Sequence, residues 1–329
     1  MANINIGEIV YTPQEAAALT AQMVQDLKGR NEYEGIESGL PDLDKFMLPL
    51  RGPILTTIIA YTSWGKTSWM NHFAKQALDI CKEGDCVVKC TWEQSVEEDT
   101  MYWIAGDSKI SVSTLVKGGM GDNDWDKFMK SYKKRAVAPL WIVGHSSVDS
   151  RSNSKIRPRL TMTNVMQACE YIMNEATSGK NEIKFVVLDY LQRIRPDKSD
   201  GNTRRIQMVE AVNKAKDLAI ALGVPVMLGV QSKRDVLDRD YKQPRIDDGQ
   251  ETSNIEQSSQ VIMSLWYPIK TEMEGKEVMI NDEAYTVNKN LISLAVLKQT
   301  WGVAPVVVPM YFDPERATFG SMTHNLPRT

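Results

Sequence analysis

The stretch Ile58–Ser68, which reads IIAYTSWGKTS, decides the fold expected for this chain of 329 residues. An apolar run, Ile54–Ala60, changes abruptly into a small polar loop that ends in Gly65-Lys66-Thr67. The segment that follows, Trp69–Leu78, carries apolar residues at helical spacing. A strand, a loop ending in Gly-Lys-Thr and a helix together predict a phosphate-binding P-loop.

The chemistry of phosphate binding explains these residue types. Backbone N–H groups of the loop and of the helix N-terminus would point at anionic phosphates. Lys66 would reach the β- and γ-phosphates, and the Thr67 hydroxyl would bind Mg²⁺. The usual first glycine of the pattern is Ala60 here, which leaves open a strand–turn–helix with a chance Gly-Lys-Thr. The residues expected to bind the phosphates are Ser63, Gly65, Lys66, Thr67 and Ser68.

The overall composition narrows the class of protein. The chain is 42% hydrophobic and 25% charged, as in ordinary globular proteins, and 39 basic against 42 acidic residues give a net charge of −3. Nucleic-acid binding would therefore have to use local basic loops. Four cysteines without paired C-x-x-C spacing and three histidines argue against a zinc site and favour reduced thiols. The chain shows no signal-peptide start and no long apolar segment, so we expect a cytoplasmic protein that does not contact membranes.

Apolar strands alternate with helical segments through the middle of the chain. This order predicts a doubly wound, mostly parallel α/β core that binds its ligand at the carboxyl ends of the strands. The predicted strands cover Ile54–Ala60, Asp85–Thr91, Pro139–Val143, Lys184–Asp189 and Val224–Val230.

Polar residues follow three of these strands where the ligand is expected. Asp189 ends a buried strand beside the P-loop, the position of a Walker-B aspartate that holds Mg²⁺ through its water shell. Glu93 is placed to polarise a water molecule, or is a solvated loop glutamate. Gln231 is placed to sense the γ-phosphate or the attacking water, or is a loop glutamine.

Other segments are predicted from local patterns. Thr12 and Glu15 form a capping box for a helix that packs on its own domain or docks on a neighbouring subunit. A second helix is expected from Thr163 to Glu175, capped by Thr163 or Asn164. Aromatic residues on one side of the helix 124–135 are expected in the core. A further strand is expected at 261–266, a hairpin within 268–290 and closing antiparallel strands at 291–298 and 303–312.

Several motifs in matching order resemble the C-terminal motor domain of the DnaB-type replicative helicases, which are RecA-like ATPases. The entry GIESGLPDLDKFM, the loop AYTSWGKTS (in the family an alanine also replaces the first glycine) and KCTWEQSVEE resemble three of them. LDYLQ, LGVQSKR, ETSNIEQSSQVIMSLW and LKQTWG resemble the rest. The similarity runs from about Gly35 to Phe319. It implies a RecA-like fold that binds ATP and Mg²⁺.

The resemblance implies roles for single residues. Glu93 would be the general base, and Gln231 would couple the γ-phosphate to the DNA-facing loops. In the family ATP lies between subunits of a ring, and a lysine and an arginine on one turn reach across to it. Lys298 matches that lysine, but Thr300 occupies the arginine position. Hydrolysis is then slow, or another cation such as Arg316 substitutes, or ATP serves mainly to assemble the ring.

The DNA-facing loop also departs from the family. A family arginine is replaced at Gln250, which Glu251 follows. Local compensation could come from two pairs of basic residues. The expected nucleic-acid-binding residues are Arg204, Arg205, Lys233, Arg234, Gln250 and Glu251.

The resemblance also sets the expected organisation and partners. Residues 1–34 would be an arm with a linker helix that contacts the next subunit, with no collar domain. Residues 35–320 would be the ATPase domain and 321–329 a flexible tail. We expect a hexameric ring on single-stranded DNA, with primase or a loader as partner, encoded by a phage or mobile element. The alternative is a RecA-like assembly, loader or regulatory ATPase with weak hydrolysis and no unwinding.

Overall fold

The computed structural model describes residues 10–28, 34–148, 160–176, 181–196, 203–249 and 252–322. The chain divides into two compact units, residues 1–34 and 35–329. The helices of the described part are α1 Pro13–Leu27, α2 Pro41–Asp44, α3 Lys66–Asp79, α4 Val96–Ser108, α5 Val112–Lys117, α6 Asp122–Val137, α7 Met162–Asn174, α8 Arg204–Leu222 and α9 Thr252–Ser258. Its strands are β1 Leu55–Ala60, β2 Asp85–Thr91, β3 Leu140–Val143, β4 Glu182–Asp189, β5 Val226–Gln231, β6 Val261–Trp266, β7 Glu277–Ile280, β8 Glu283–Thr286, β9 Leu291–Gln299, β10 Val306–Asp313 and β11 Thr318–Ser321.

Nine of these strands form one sheet in the second unit, in the order β11-β10-β9-β6-β1-β5-β4-β2-β3. The strands from β6 to β3 in this order are parallel to one another, and β9, β10 and β11 close the other side as antiparallel strands. The doubly wound, mostly parallel sheet is thus confirmed. Crossover helices between parallel strands put both faces of the sheet under helices.

The side chains of β1 show how the two faces are filled. Ile58 and Ala60 belong to an apolar cluster with Trp69 and Phe73 of α3. Leu55 and Ile59 point to the opposite face, where the cluster contains residues of α7 and α8. Alternate residues of a strand face opposite sides of its sheet, so β1 and its P-loop are held between two apolar layers.

The elements before and after the parallel strands are as predicted, with one addition. Thr12 and Glu15 form the predicted capping box of α1. The hairpin β7–β8 and the strands β9 and β10 are also confirmed. The addition is β11, which pairs antiparallel with β10, with Thr318 opposite Asp313 and Ser321 opposite Met310. A four-residue strand that contains a glycine gives little periodic signal.

Two local predictions are wrong. Helix α7 is capped by Thr161, and Asn164 completes its capping box from the third helical position. The aromatic face of α6 is not core, because Trp125 and Tyr132 are exposed by 52% and 50%. An amphipathic pattern identifies the apolar side of a helix but not whether another element covers it.

Candidate nucleotide-binding site

The P-loop follows β1 directly. All six residues of β1 are buried, and the loop that leaves it ends at Gly65, whose φ of +84° lies in the left-handed region that favours glycine. Helix α3 begins at Lys66, and no side chain caps its N-terminus. The first N–H groups of α3 are therefore free of side-chain acceptors, which is the arrangement that binds phosphate at a helix N-terminus.

A cavity of about 580 Å³ lies over this loop. Its lining brings together most of the residues that the sequence singled out: Ser63, Gly65, Lys66, Thr67, Ser68, Glu93 and Gln231. Aromatic residues that the sequence did not single out also line the cavity, among them Tyr102, Tyr190 and Tyr267. Tyr190 was present only as a residue of the LDYLQ motif, and Tyr102 and Tyr267 belong to no motif.

Asp189 lies beneath the cavity and is only 4% exposed. Its carboxylate accepts hydrogen bonds from Lys66 Nζ at 3.0 Å and from Thr67 Oγ1 at 2.7 Å. Burial alone would raise the pKa of Asp189, but the charges of Lys66 and Lys89 and the Thr67 hydroxyl outweigh it and hold that pKa below its ordinary value. Asp189 is therefore a carboxylate at neutral pH.

The donor set fits a nucleotide with its metal. Mg²⁺ is commonly bound through one or two protein oxygens plus phosphate oxygens and waters. Thr67 Oγ1 and the Asp189 carboxylate are hydrogen-bonded to each other beside the lysine, so both oxygen types lie where a P-loop would use them. Lys66 Nζ also lies 3.7 Å from the centre of the Tyr190 ring, a cation–π contact that fixes the lysine head over the cavity.

Glu93 follows β2 on the same edge of the sheet. Its side chain is 52% exposed, and its charged neighbour is Arg193, whose Nη2 lies 4.0 Å from Glu93 Oε1. A general base must be able to reach a water molecule beside the γ-phosphate. Exposure toward the cavity leaves Glu93 free to do this, and no motif in the chain indicated Arg193 as its neighbour.

Gln231 ends β5 and touches the P-loop. Its Nε2 donates to Thr62 Oγ1 at 2.8 Å. Its backbone N–H and C=O are both bonded by the side-chain amide of Gln192, at 3.0 and 3.3 Å. The sequence analysis assigned no role to Gln192, which is the last residue of the LDYLQ motif.

Behind the site lies a buried ion pair. Lys89 of β2 and Asp99 of α4 are both 0% exposed and form a salt bridge. Lys89 also donates to the Asn71 side chain of α3. These contacts tie the P-loop helix to the strand that carries Glu93.

Lys298 and Thr300 lie at the far end of the sheet. Lys298 is the second-last residue of β9 and Thr300 follows the strand. The other end of β9, near Leu291, adjoins the P-loop edge through β6. The nine residues of β9 separate the two ends by roughly 27 Å at about 3.3 Å per residue. Lys298 Nζ donates to the carbonyls of Glu256 and Ser259, and Thr300 Oγ1 donates to that of Gln260.

Two arginines that could replace the cation missing at Thr300 lie in different parts of the structure. Arg316 is paired with Asp313 at 2.7 Å, at the end of β10 that adjoins the P-loop edge. Arg316 is therefore not beside Thr300. Arg51 does lie near Thr300, because its guanidinium is 5.5 Å from the centre of the Trp301 ring, on the turn that carries Thr300.

Comparison with known proteins decides the family. The sequence-family model of the DnaB-like helicase C-terminal domain matches residues 35–321. The chain belongs to the DnaB-like helicase C-terminal domain family.

Curated relatives match most of the chain. The chain is 24% identical over 284 residues to the replicative DNA helicase DnaC of Bacillus subtilis (strain 168), covering 86% of this chain and 56% of that protein. It is 24% identical over 271 residues to the replicative DNA helicase DnaB of Geobacillus stearothermophilus, covering 82% and 53%. The chain thus spans about half the length of these curated relatives.

Two solved structures share the fold. A structure of an isolated ATPase domain matches with a TM-score of 0.77 at 20% identity, over 95% of this chain and 99% of that one. A DnaB-like replicative helicase, from a structure that concerns its interactions with primase, matches with a TM-score of 0.76 at 19% identity, over 94% and 68%. The fold is therefore that of a RecA-like helicase ATPase domain.

The predicted nucleic-acid residues of this DnaB-like domain have different environments. Arg204 donates to the carbonyls of Gln192 and Ile194. Lys233 Nζ donates to the carbonyl of Asp247 at 2.9 Å. Arg205 and Arg234 are exposed. Gln250 and Glu251 lie outside the described residues.

In the first unit, residues 1–34, α1 has exposed apolar side chains, among them Leu19 and Met23 at 57% and 52%. Among the described residues, no helix has both the length and the apolar character needed to cross a membrane.

Proposed function

We propose that this chain is the ATP-hydrolysing motor of a ring-forming DNA helicase that translocates on single-stranded DNA during replication. The observation that carries the proposal is the convergence of Lys66, Thr67, Asp189, Glu93 and Gln231 around one cavity. These are the residue types that phosphoryl transfer needs to bind phosphate, hold a metal and orient water. Membership of the DnaB-like family supports ATP and DNA as the ligands.

The proposed roles follow from the contacts. Lys66 binds the β- and γ-phosphates, and its present partner Asp189 holds the metal together with Thr67. Mg²⁺, when bound, neutralises charge that develops on the phosphate oxygens. Glu93 takes the proton of the attacking water, since its exposed carboxylate faces the cavity. Ser63, Gly65 and Ser68 complete the phosphate-binding set.

We further propose that ATP is hydrolysed at subunit interfaces. The turn with Lys298 and Thr300 is at the end of the sheet away from the chain's own P-loop, so in a closed ring it is available to the neighbour. Oligomers of identical chains that bind head to tail close into rings. A hexamer is the form we propose, with α1 as the contact to the next subunit and primase or a loader as a further partner in the bacterial cytoplasm.

We propose that DNA is bound by the segments that follow β4 and β5. Arg205 and Arg234 are exposed there, and the proposed DNA-binding residues also include Arg204, Lys233, Gln250 and Glu251. Basic side chains and backbone N–H groups bind the phosphates of a single strand without reading its sequence.

The test is enzymatic. The purified chain should hydrolyse ATP faster with single-stranded DNA and should unwind a forked duplex, and Lys66→Ala should lose both activities. Lys75→Ala removes a lysine from the same helix whose partner is Asp107 instead, and should retain both. Wild-type protein with neither DNA-stimulated turnover nor unwinding would refute the motor.

A second function has one specific observation in its favour. Thr300 stands where the family has an arginine, and its hydroxyl is bound to a carbonyl of the same chain. An arginine finger accelerates phosphoryl transfer in GTPases by about 10³-fold or more. The alternative is therefore an ATP-binding assembly, loader or regulatory protein with weak hydrolysis. Mass photometry with and without ATP, beside a turnover assay, separates rings that translocate from rings that only assemble.

A further inference from the structure

Gln192 continues the sheet with its side chain. Strand β4 ends at Asp189, and the main-chain pairing between β4 and β5 reaches Leu188 and Leu228. Three residues beyond β4, the side-chain amide of Gln192 binds the main chain of β5 where the β4 main chain no longer does. Its Oε1 accepts from Gln231 N at 3.0 Å, and its Nε2 donates to Gln231 O at 3.3 Å. A primary amide has one acceptor and two donors in one plane, so it can bind both polar groups of one strand residue.

The other side of the same β5 terminus is bound to the P-loop. Gln231 pairs with Ala60 of β1, and Ser232 N donates to the Ala60 carbonyl at 3.0 Å. The Gln231 side chain donates to Thr62 Oγ1 at 2.8 Å, two residues further along the loop. Hydrogen bonds therefore connect the P-loop to Gln231 and Gln231 to Gln192.

The main chain of Gln192 is bound in turn by Arg204. The guanidinium donates to the carbonyls of Gln192 and, at 3.3 Å, of Ile194. Arg204 is the first residue of α8 and is exposed. Partial desolvation of the guanidinium and the nearby charge of Arg195 lower the pKa of Arg204. A phosphate oxygen is a stronger acceptor for a guanidinium than a neutral carbonyl.

We propose that Gln192 is the positioning residue that couples the nucleotide site to nucleic-acid binding at Arg204. A DNA phosphate that takes the guanidinium of Arg204 releases the Gln192 carbonyl. The Gln192 amide then shifts with its main chain, and Gln231 moves relative to Thr62 and the γ-phosphate. By linkage the path also runs from nucleotide to Arg204. The inference rests on the proposed function, since it assigns the residue through which DNA stimulates hydrolysis.

The experiment uses the full chain with Gln192→Leu, which keeps most of the side-chain volume and removes both hydrogen bonds. The ratio of turnover with and without single-stranded DNA should fall at least about fivefold, the usual range of coupling between two sites. Binding of a fluorescent ATP analogue should change by less than about threefold, because Gln192 does not line the cavity. Gln192→Glu keeps the acceptor for Gln231 N but loses the donor, and should give an intermediate ratio.

Gln243→Leu is the matched control. Its amide likewise binds a strand backbone, at the Ser264 carbonyl of β6, and it is buried away from the cavity. It should lower the melting temperature and leave the stimulation ratio unchanged. A purely structural role for Gln192 would give the same pattern as Gln243→Leu, and a Gln192→Leu ratio equal to that of wild type overturns the proposal.

A second measurement needs neither DNA nor turnover. In wild-type protein a non-hydrolysable ATP analogue should change amide hydrogen exchange in the first turn of α8, and in Gln192→Leu it should not. If wild type shows no DNA stimulation, the proposed motor function fails, yet exchange still decides the coupling. A nucleotide effect on α8 that persists in Gln192→Leu refutes the role of Gln192 whatever the motor does.

Discussion

Lys66 Nζ lies 3.0 Å from Oδ1 of Asp189, while Thr67 binds the other oxygen of the same carboxylate. The three side chains therefore hold one another in the positions from which they would bind phosphate and metal. The ion pair is nearly buried, at 11% and 5% side-chain exposure, where removal of one charge leaves the other uncompensated. Asp189 thus has a structural effect as well as its proposed role with the metal.

A pH dependence follows for Asp189. Its pKa in the folded chain is below the ordinary value of 3.8, so the carboxylate form is favoured by folding. This stabilisation is complete above that ordinary value and is lost as pH falls through the lower folded pKa. The free-energy difference between wild type and Asp189→Asn in urea unfolding should therefore shrink as the pH drops below about 4. Asp79→Asn, at the exposed end of α3, is the control, and a difference that grows at acid pH contradicts the prediction.

Glu93→Gln should separate nucleotide binding from hydrolysis. The substitution removes the base but keeps the size of a side chain that is half exposed. Turnover should fall by about 10²-fold or more, while affinity for a fluorescent ATP analogue should hold. Glu83→Gln changes an exposed glutamate in the turn before the same strand and should have wild-type turnover. Equal activity of the two variants would remove Glu93 from the mechanism.

The buried pair Lys89–Asp99 should respond non-additively to substitution. Lys89→Met leaves Asp99 as an uncompensated buried charge and should lower the free energy of unfolding by about 3–5 kcal/mol. Adding Asp99→Leu should recover much of that loss, because both charges are then gone. Lys127→Met breaks an exposed pair with Asp124 and should cost about 1 kcal/mol or less. Urea unfolding curves of wild type, Lys89→Met, Asp99→Leu, the double variant and Lys127→Met test this, and additive losses from Lys89→Met and Asp99→Leu would argue against a coupled pair.

Thr300→Arg should accelerate DNA-stimulated hydrolysis by about tenfold or more if the turn acts on a neighbouring site without its arginine. Val303→Arg places the same charge on the same turn, at a residue that is 65% exposed. This control variant should not accelerate hydrolysis. Arg51 already contacts this turn through Trp301, so Arg51→Ala should slow hydrolysis, and Thr300→Arg should restore it. If Arg51→Ala slows hydrolysis and Thr300→Arg does not restore the rate, Arg51 only supports the turn.

The sequence predicted the strands best where a short, mostly apolar segment is bounded by polar and turn residues. β2 and β6 have the predicted limits because nearly every position in them must fit between two apolar layers. It failed where the outcome depends on a partner outside the segment. Trp125 and Tyr132 are exposed because no described element covers that side of α6, and no pattern within the helix states this.

The candidate site likewise contains residues that the sequence predicted and residues that it did not. Lys66, Thr67 and Asp189 were predicted because each lies at or after the end of a strand, in a motif with its own chemistry. Gln192, Tyr190 and Arg193 owe their positions to contacts between separate segments: an amide reaching across to β5, a ring under a lysine, and an arginine beside Glu93. Spacing within a segment does not encode such contacts, so they emerge only from the folded chain.

The outermost strands of the large sheet, β3 and β11, have four residues each. Short outermost strands offer few unpaired N–H and C=O groups to a second chain. Two copies therefore gain little by joining their sheets side by side, which disfavours self-templated aggregation even at high local concentration. Ordered assembly of this chain is left to other surfaces, where contacts can form and release without competition from irreversible backbone pairing.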